Sequence, residues 1–286
     1  MKDSINSVGV IGCGVAGKGI ALAVAQAGYD VMLRTRRGSK GYEDLLNYIH
    51  KEERRGRLSI PSGEILSRIR WTEDIHNIGA STQFVIEAVP EDVVIKQKLF
   101  EQLDKLCPNN VILATNTSCL CVKEIFEFVQ NKGRAIGMHF FNPVHIMKLV
   151  EITKIPDTSG DTLESSLTFS RSLGKVPIVV PDIPGFVVNR ILFPLLNEAI
   201  HALEEGIGTP EEIDNAMKLG TNMPMGPLAL CDLIGLDTCL AVLDNLRRRT
   251  GQSKYEAALL LRQMVQRGSL GRKTGKGFYK YPNVRG

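Results

Sequence analysis

No apolar run comes near the roughly 18 residues that a membrane-crossing helix requires, so no membrane segment is predicted. Neither sign of charge is in large excess: 35 lysines and arginines against 31 aspartates and glutamates leave a formal +4. That balance gives no argument for nucleic acid, though it suits an anionic small ligand. The six cysteines, at 13, 107, 119, 121, 231 and 239, lack CxxC spacing, and several sit in apolar stretches; free thiols in a reducing cytoplasm are expected. Zinc-ligand spacing is missing too, and no metal is expected. Repeats and low-complexity tracts are absent. The opening Met1-Lys2-Asp3-Ser4 carries an acid and leads straight into a strand, unlike a secretory signal.

What is present is enough chain, 286 residues with 43% hydrophobic, for one large domain or two smaller ones. As far as about residue 180, short β-branched runs alternate with helical stretches. Strands are predicted at 8–11, 31–33, 84–86, 111–114, 135–138 and 176–180, with helices over 15–27, 41–57 and 62–69. This alternation implies a mainly parallel sheet covered on both faces. After Pro184-Gly185 the pattern turns helical: Ile191, Leu195, Leu196, Ala199, Ile200 and Leu203 recur at helical spacing. Thr209-Pro210-Glu211-Glu212 has the form of a capped helix start, and 226–249 and 253–267 continue as helix. The expected architecture is an α/β, Rossmann-type doubly wound domain over 1–185, with a helical-pair appendage at 41–69, followed by an all-helical domain over 186–286 for substrate and dimerisation.

Gly12-Cys13-Gly14-Val15-Ala16-Gly17 is a GxGxxG run that follows a strand and opens a helix. Gly12 permits the tight turn, Gly14 lets backbone approach a pyrophosphate, and Gly17 permits close helix packing. Val15 and Ala16 begin the helix whose free N–H groups meet the phosphates. NAD-selective sites place an acid at the end of the second strand. Here that strand ends at Thr35, followed by Arg36 and Arg37. The missing carboxylate and the added guanidiniums favour NADP(H) over NAD(H). A solvated arginine loop with NAD still bound is the alternative.

Two polar segments follow predicted strands: Asn116-Thr117-Ser118 and His139-Phe140-Phe141-Asn142-Pro143. Glu151, read as a third element at that edge, comes twelve residues after the histidine. Ligands of doubly wound sheets bind beyond the carboxyl ends of the strands, so these residues are placed for chemistry.

Together with VIGCGVAGKGIA (10–21), VIEAVPED (85–92) with Lys96, ATNTSCL (114–120), GMHFFNPV (137–144), MKLVEI (147–152), PGFVVNRIL (184–192), GPLALCDLIGLD (226–237) and LGRKTGKGFYKY (270–281), the chain resembles the 3-hydroxyacyl-CoA dehydrogenase family, its short bacterial 3-hydroxybutyryl-CoA members most closely. The resemblance implies His139 as acid/base, Glu151 as its orienting carboxylate, and Ser118 and Asn189 as hydrogen-bonding partners of the substrate oxygens. It sets Glu91, Lys96, Asn142 and Lys273 along the nicotinamide nucleotide, and we count Asn116 and Ser118 with that set. It also implies a homodimer formed through the helical domain. The chain departs from the pattern at Thr35, where the family has its ribose-binding aspartate, at Met223, and in a helical pair a few residues short. Lys51, Arg54, Arg55 and Arg57 there are basic enough to meet a CoA phosphate, or form a solvated face. The expected activity is oxidation or reduction of a short 3-hydroxyacyl-CoA. An acyl group tethered to a carrier protein, and a silent nucleotide-binding sensor, are the competing readings; the full Ser118, His139, Glu151 and Asn189 set argues against the sensor.

Overall fold

The computed structural model describes residues 5–282, so the opening Met1–Ser4, read as leading into a strand, lies outside the described residues. The chain forms two compact units, one ending at Ile183 and the other beginning at Pro184.

The first unit contains strands β1 (Ser7–Ile11), β2 (Asp30–Arg34), β3 (Ile69–Thr72), β4 (Phe84–Glu87), β5 (Ile112–Thr115), β6 (Ala135–Phe140), β7 (Leu149–Thr153) and β8 (Val176–Val180). Its helices are α1 (Val15–Gln26), α2 (Gly38–Arg54), α3 (Ser62–Ser67), α4 (His76–Ser81), α5 (Val93–Leu106), α6 (Val122–Ile125) and α7 (Gly160–Ser172). The strands make one sheet in the order β3-β2-β1-β4-β5-β6-β7-β8. β4, β5 and β6 are buried along their whole length, which is why they read as continuous rather than alternating apolar runs. Val8, Val10, Ile20, Leu22, Phe84 and Met138 are part of the core. The order reverses at β1, which lies between β2 and β4, and the crevice beyond their carboxyl ends is where such sheets bind nucleotides.

Two strands escaped the sequence reading. Ile69 begins β3 instead of closing a helix; Arg70 and Trp71 on this short strand hide any apolar run. β7 runs antiparallel to β6, so Glu151 stands within a strand and not beyond one. Likewise β6 extends through Phe140, so His139 belongs to the strand and not to the loop after it.

The second unit is helical: α8 (Val188–Glu204), α9 (Pro210–Thr221), α10 (Pro227–Ile234), α11 (Leu236–Thr250) and α12 (Leu259–Gln266). Thr209 and Glu212 form the reciprocal capping box their spacing predicts. The stretch 226–249 is not one helix. Gly235 takes φ of 103°, a conformation that favours glycine, and separates α10 from α11. The stretch 253–267 divides into a single 3₁₀ turn, Ser253–Tyr255, and α12. Buried Asp232 fastens the chain's end by accepting from Phe278 N, Tyr279 N and the Tyr281 hydroxyl at 2.9–3.0 Å. Among the described residues no helix is long and apolar enough to cross a membrane.

Candidate active site

The glycine turn between β1 and α1 is shaped by close backbone approach. A Cβ at Gly12, where φ is 109°, would overlap the Ala88 carbonyl, and one at Gly17 would overlap the carbonyl of Gly12. Gly14 differs: a Cβ there would meet nothing within 4 Å. It also stands at the N-cap of α1, whose first turn has neither a side-chain cap nor an acid. A helix start without a side-chain cap or first-turn acid, with open space at Gly14 and Val15 and Ala16 behind it, fits a pyrophosphate.

Thr35 follows directly on β2 and is buried, its hydroxyl accepting from Arg37 N at 3.2 Å. Arg36 is exposed, whereas Arg37 is ion-paired with Asp44 at 2.7 Å. Burial, then the neighbouring Arg36 charge, holds Arg34 below the usual guanidinium range. Arg34 and Arg36 thus bring two cations to this strand end, with the Asp74 carboxylate acting on Arg34 in the opposite sense.

His139 and Glu151 are directly opposed across β6 and β7. His139 Nδ1 lies 2.8 Å from Glu151 Oε2; the histidine is 7% exposed and the glutamate 0%. Nδ1 facing a carboxylate carries the hydrogen, so Nε2 is the nitrogen whose proton can be exchanged. The next strand end is tied in by Asn116, whose Oδ1 accepts from Phe140 N at 2.8 Å. Asn116 is therefore engaged with backbone of β6 rather than presented as a bare ligand.

Ser118 sits on a turn gathered by Glu91. One carboxylate oxygen, Oε1, accepts from Thr117 Oγ1 at 2.6 Å, Ser118 N at 2.8 Å and Cys119 N at 3.1 Å, with Ser118 Oγ at 3.4 Å. Lys96 is 1% exposed and lies between Glu91, at 3.2 Å, and Glu87, at 2.7 Å. Burial pushes the Glu91 carboxyl up, but the Lys96 charge and the donors from Thr117 and Ser118 outweigh it and leave it below the usual range. At Glu87 burial prevails over the same ammonium and raises the carboxyl. Glu87 and Thr117 were not singled out from the sequence, although both stand inside motifs quoted there. A charged residue ending a wholly apolar strand was the available signal.

The remaining expected residues belong to other elements of the chain. Asn142 is exposed on the β6–β7 connection. Asn189 is buried in the first turn of α8, in the second unit. Lys273, also in that unit, ion-pairs with Asp237, Nζ to Oδ2 at 2.6 Å. Lys51 and Arg54 on α2 are exposed, and so are Arg55 and Arg57 just past it, which also reach back to buried Glu52 at 2.8 and 3.3 Å. Glu52 also faces His145 Nε2 at 3.1 Å, and Tyr48 Oη faces His145 Nδ1 at 3.1 Å. Part of the basic patch is thus exposed but already ion-paired to Glu52. Among the described residues no cluster of His, Cys, Asp or Glu is arranged to hold a metal ion.

A glycine turn at the switch point of a doubly wound sheet, with a histidine–carboxylate pair on nearby strands, defines a dinucleotide-dependent oxidoreductase. The chain belongs to the 3-hydroxyacyl-CoA dehydrogenase family: the family's NAD binding domain matches residues 7–183 and its C-terminal domain residues 185–281. It is 45% identical over 278 residues to a 3-hydroxybutyryl-CoA dehydrogenase of Clostridioides difficile, covering 95% of this chain and 98% of that one. A probable 3-hydroxybutyryl-CoA dehydrogenase of Deinococcus radiodurans is 44% identical, covering 96% and 99%. The crystal structure of an (S)-3-hydroxybutyryl-CoA dehydrogenase from Ralstonia eutropha superposes with a TM-score of 0.90 at 42% identity, covering 98% and 100%.

Proposed function

We propose that this protein interconverts a short 3-hydroxyacyl-CoA, such as 3-hydroxybutyryl-CoA, and the corresponding 3-oxoacyl-CoA. The observation that carries the reading is the cross-strand pair, His139 Nδ1 to Glu151 Oε2 at 2.8 Å, beside the carboxyl end of β5. In the oxidative direction His139 Nε2 takes the hydroxyl proton, and in the reductive direction it returns one to the carbonyl oxygen. Glu151 fixes the ring's tautomer and stabilises the imidazolium. Ser118 and Asn189 are the donors we assign to the reacting oxygen, a role worth roughly 3 kcal/mol per donor in comparable sites. A bound nicotinamide supplies the carbon that exchanges the hydride.

The cofactor we favour is NADP(H). Support comes from buried, uncharged Thr35 at the strand end and from Arg34, lowered by burial and then by the nearby Arg36 charge. Arg36, and Arg34 beside it, would grip the 2′-phosphate. Lys51 and Arg54 are the cations we assign to the CoA nucleotide, and Arg55, exposed as well, a lesser one because Glu52 already holds it. The six cysteines, all free thiols, support a cytoplasmic location. The decisive experiment is an assay of acetoacetyl-CoA reduction with NADPH and with NADH. Cofactor binding without consumption would overturn the enzymatic reading. Equal kcat/KM for acetoacetyl-CoA and acetoacetyl-pantetheine would overturn the nucleotide assignment.

A further inference from the structure

Helix α6, which follows the Ser118 turn, has only four residues, and Cys121 at its N-cap gives it no side-chain cap. A helix that short leaves most of its N–H groups without a partner of its own. Its first two are met from a distant part of the chain. Asp182 Oδ1 accepts from Val122 N at 2.9 Å, and Oδ2 from Lys123 N at 2.8 Å and from the Cys121 thiol at 3.1 Å. Hydrogen bonds to an ionised carboxylate are roughly twice as strong as neutral ones. Asp182 is half-buried within Pro181-Asp182-Ile183-Pro184, just before the second unit begins. The two prolines have a fixed φ, and Ile183 N donates to Pro181 O at 2.9 Å, so the segment turns tightly about Asp182. Only Cys119 and Leu120 separate Ser118 from Cys121. Val122 is buried against β6, where a Cβ on Gly137 would come within 2.9 Å of Val122 Cγ2. The start of α6 is thus pinned by Asp182 while its first side chain sits on the strand that bears His139.

We propose that Asp182 is a positioning residue of the active site: it caps α6 from the far end of the first unit and so fixes the turn on which Ser118 meets the reacting oxygen. The proposal rests on the dehydrogenase reading for the use made of Ser118, and its test therefore has a readout apart from activity. Cys119 lies beside Ser118 and is 6% exposed. Its alkylation by iodoacetamide, followed residue by residue with mass spectrometry, reports release of the turn. Cys121 reports the contact itself, since burial pushes its thiol up and the Asp182 carboxylate adds to that. Buried Cys107, at the end of α5 in the same unit, reports general loosening.

Asp182→Asn is expected to speed modification of Cys121 and Cys119 about tenfold or more, with Cys107 within about threefold of wild type, since local opening is independent of global unfolding. It should lower kcat for acetoacetyl-CoA reduction by about tenfold or more. Placed on a Ser118→Ala background, it should lower kcat no more than about threefold further, because residues acting through one another are not additive. Asp182→Glu keeps the charge but moves the oxygens by one methylene. It should act the same way more weakly, by about threefold, and carries the test if the amide variant does not fold. Faster Cys121 with unchanged Cys119 would mean that the contact exists but does not hold the turn, and would overturn the proposal. So would Cys107 speeding as much as Cys119, or an undiminished loss of kcat on the Ser118→Ala background, since either makes Asp182 a support of the fold at large. If wild type does not reduce acetoacetyl-CoA, the dehydrogenase reading fails while Cys119 still decides whether Asp182 holds the turn.

Discussion

His139 and Glu151 face each other across an antiparallel pair, so the backbone register alone sets their distance and neither has to search for the other. His139→Gln is expected to reduce turnover by roughly 100- to 10,000-fold, the usual worth of a positioned acid/base, with NADPH affinity barely moved. Turnover within threefold of wild type would end the mechanism. Glu151→Gln keeps the hydrogen bond's shape but removes the charge that stabilises imidazolium; its turnover should fall and its pH–rate profile should shift, and an unaltered profile counts against the pairing. Cofactor choice is also decided by single residues. A carboxylate at position 35 would repel a 2′-phosphate by about 3 kcal/mol, taking about 5 Å and an effective dielectric near 20. NADPH should therefore exceed NADH in kcat/KM, and Thr35→Asp with Arg36→Ile should reverse the order; equal efficiencies in wild type would refute the arginine argument. His139, Ser118 and the glycine turn were legible as residues because their types are uncommon at strand ends. Glu87 and Thr117 were not, because Glu87 satisfies Lys96 and Thr115 and Thr117 satisfies Glu91 inside the fold, and sequence spacing does not report such partners.

Strands show how a functional charge hides an element. Leu149-Val150-Glu151-Ile152-Thr153 is a buried strand interrupted by a carboxylate, and the carboxylate is tolerated because His139 lies opposite it. Read without that partner, the glutamate argues against a strand, and the antiparallel β7 was missed. At α2 the same thing happened with charge: Glu52 was overlooked beside conspicuous arginines, yet it anchors the helix to the β6–β7 connection through His145. The neutral imidazole suits this place, with Nε2–H donating to Glu52 and Nδ1 accepting from Tyr48 Oη. Burial lowers the His145 pKa; Glu52 pulls it back, and the Lys175 and Arg57 charges lower it further. A histidine with a depressed folded pKa binds fewer protons folded than unfolded, so stability is lost as pH falls below its unfolded value of about 6.5. Urea unfolding at pH 7 and pH 5 should show wild type losing stability on acidification, and His145→Gln should lose less over the same interval. An equal loss in both proteins would mean that His145 is not responsible.

At the scale of the whole molecule, the helical unit exposes large apolar side chains that its own core does not need. Ile191 on α8 is 64% exposed, Leu219 on α9 86%, and Leu259 on α12 64%, with Ile207 between α8 and α9 at 71%. One such residue is ordinary on a protein surface; several on a unit of about a hundred residues argue for a covered face. The occupant we expect is a second copy of the chain, since a twofold arrangement lets one patch serve both partners. Sedimentation equilibrium at micromolar concentration should give a dimer, and a wild-type monomer there would refute the expectation. Charge at the centre of such a face is poorly tolerated, so Ile191→Asp or Leu219→Asp should shift the equilibrium towards monomer if the substituted residue is covered. Deleting 186–286 should yield an insoluble or monomeric fragment without activity, because Asn189 is lost with that unit. If either aspartate variant is monomeric, folded and still active, dimerisation serves stability or solubility, and each chain carries its own complete chemistry.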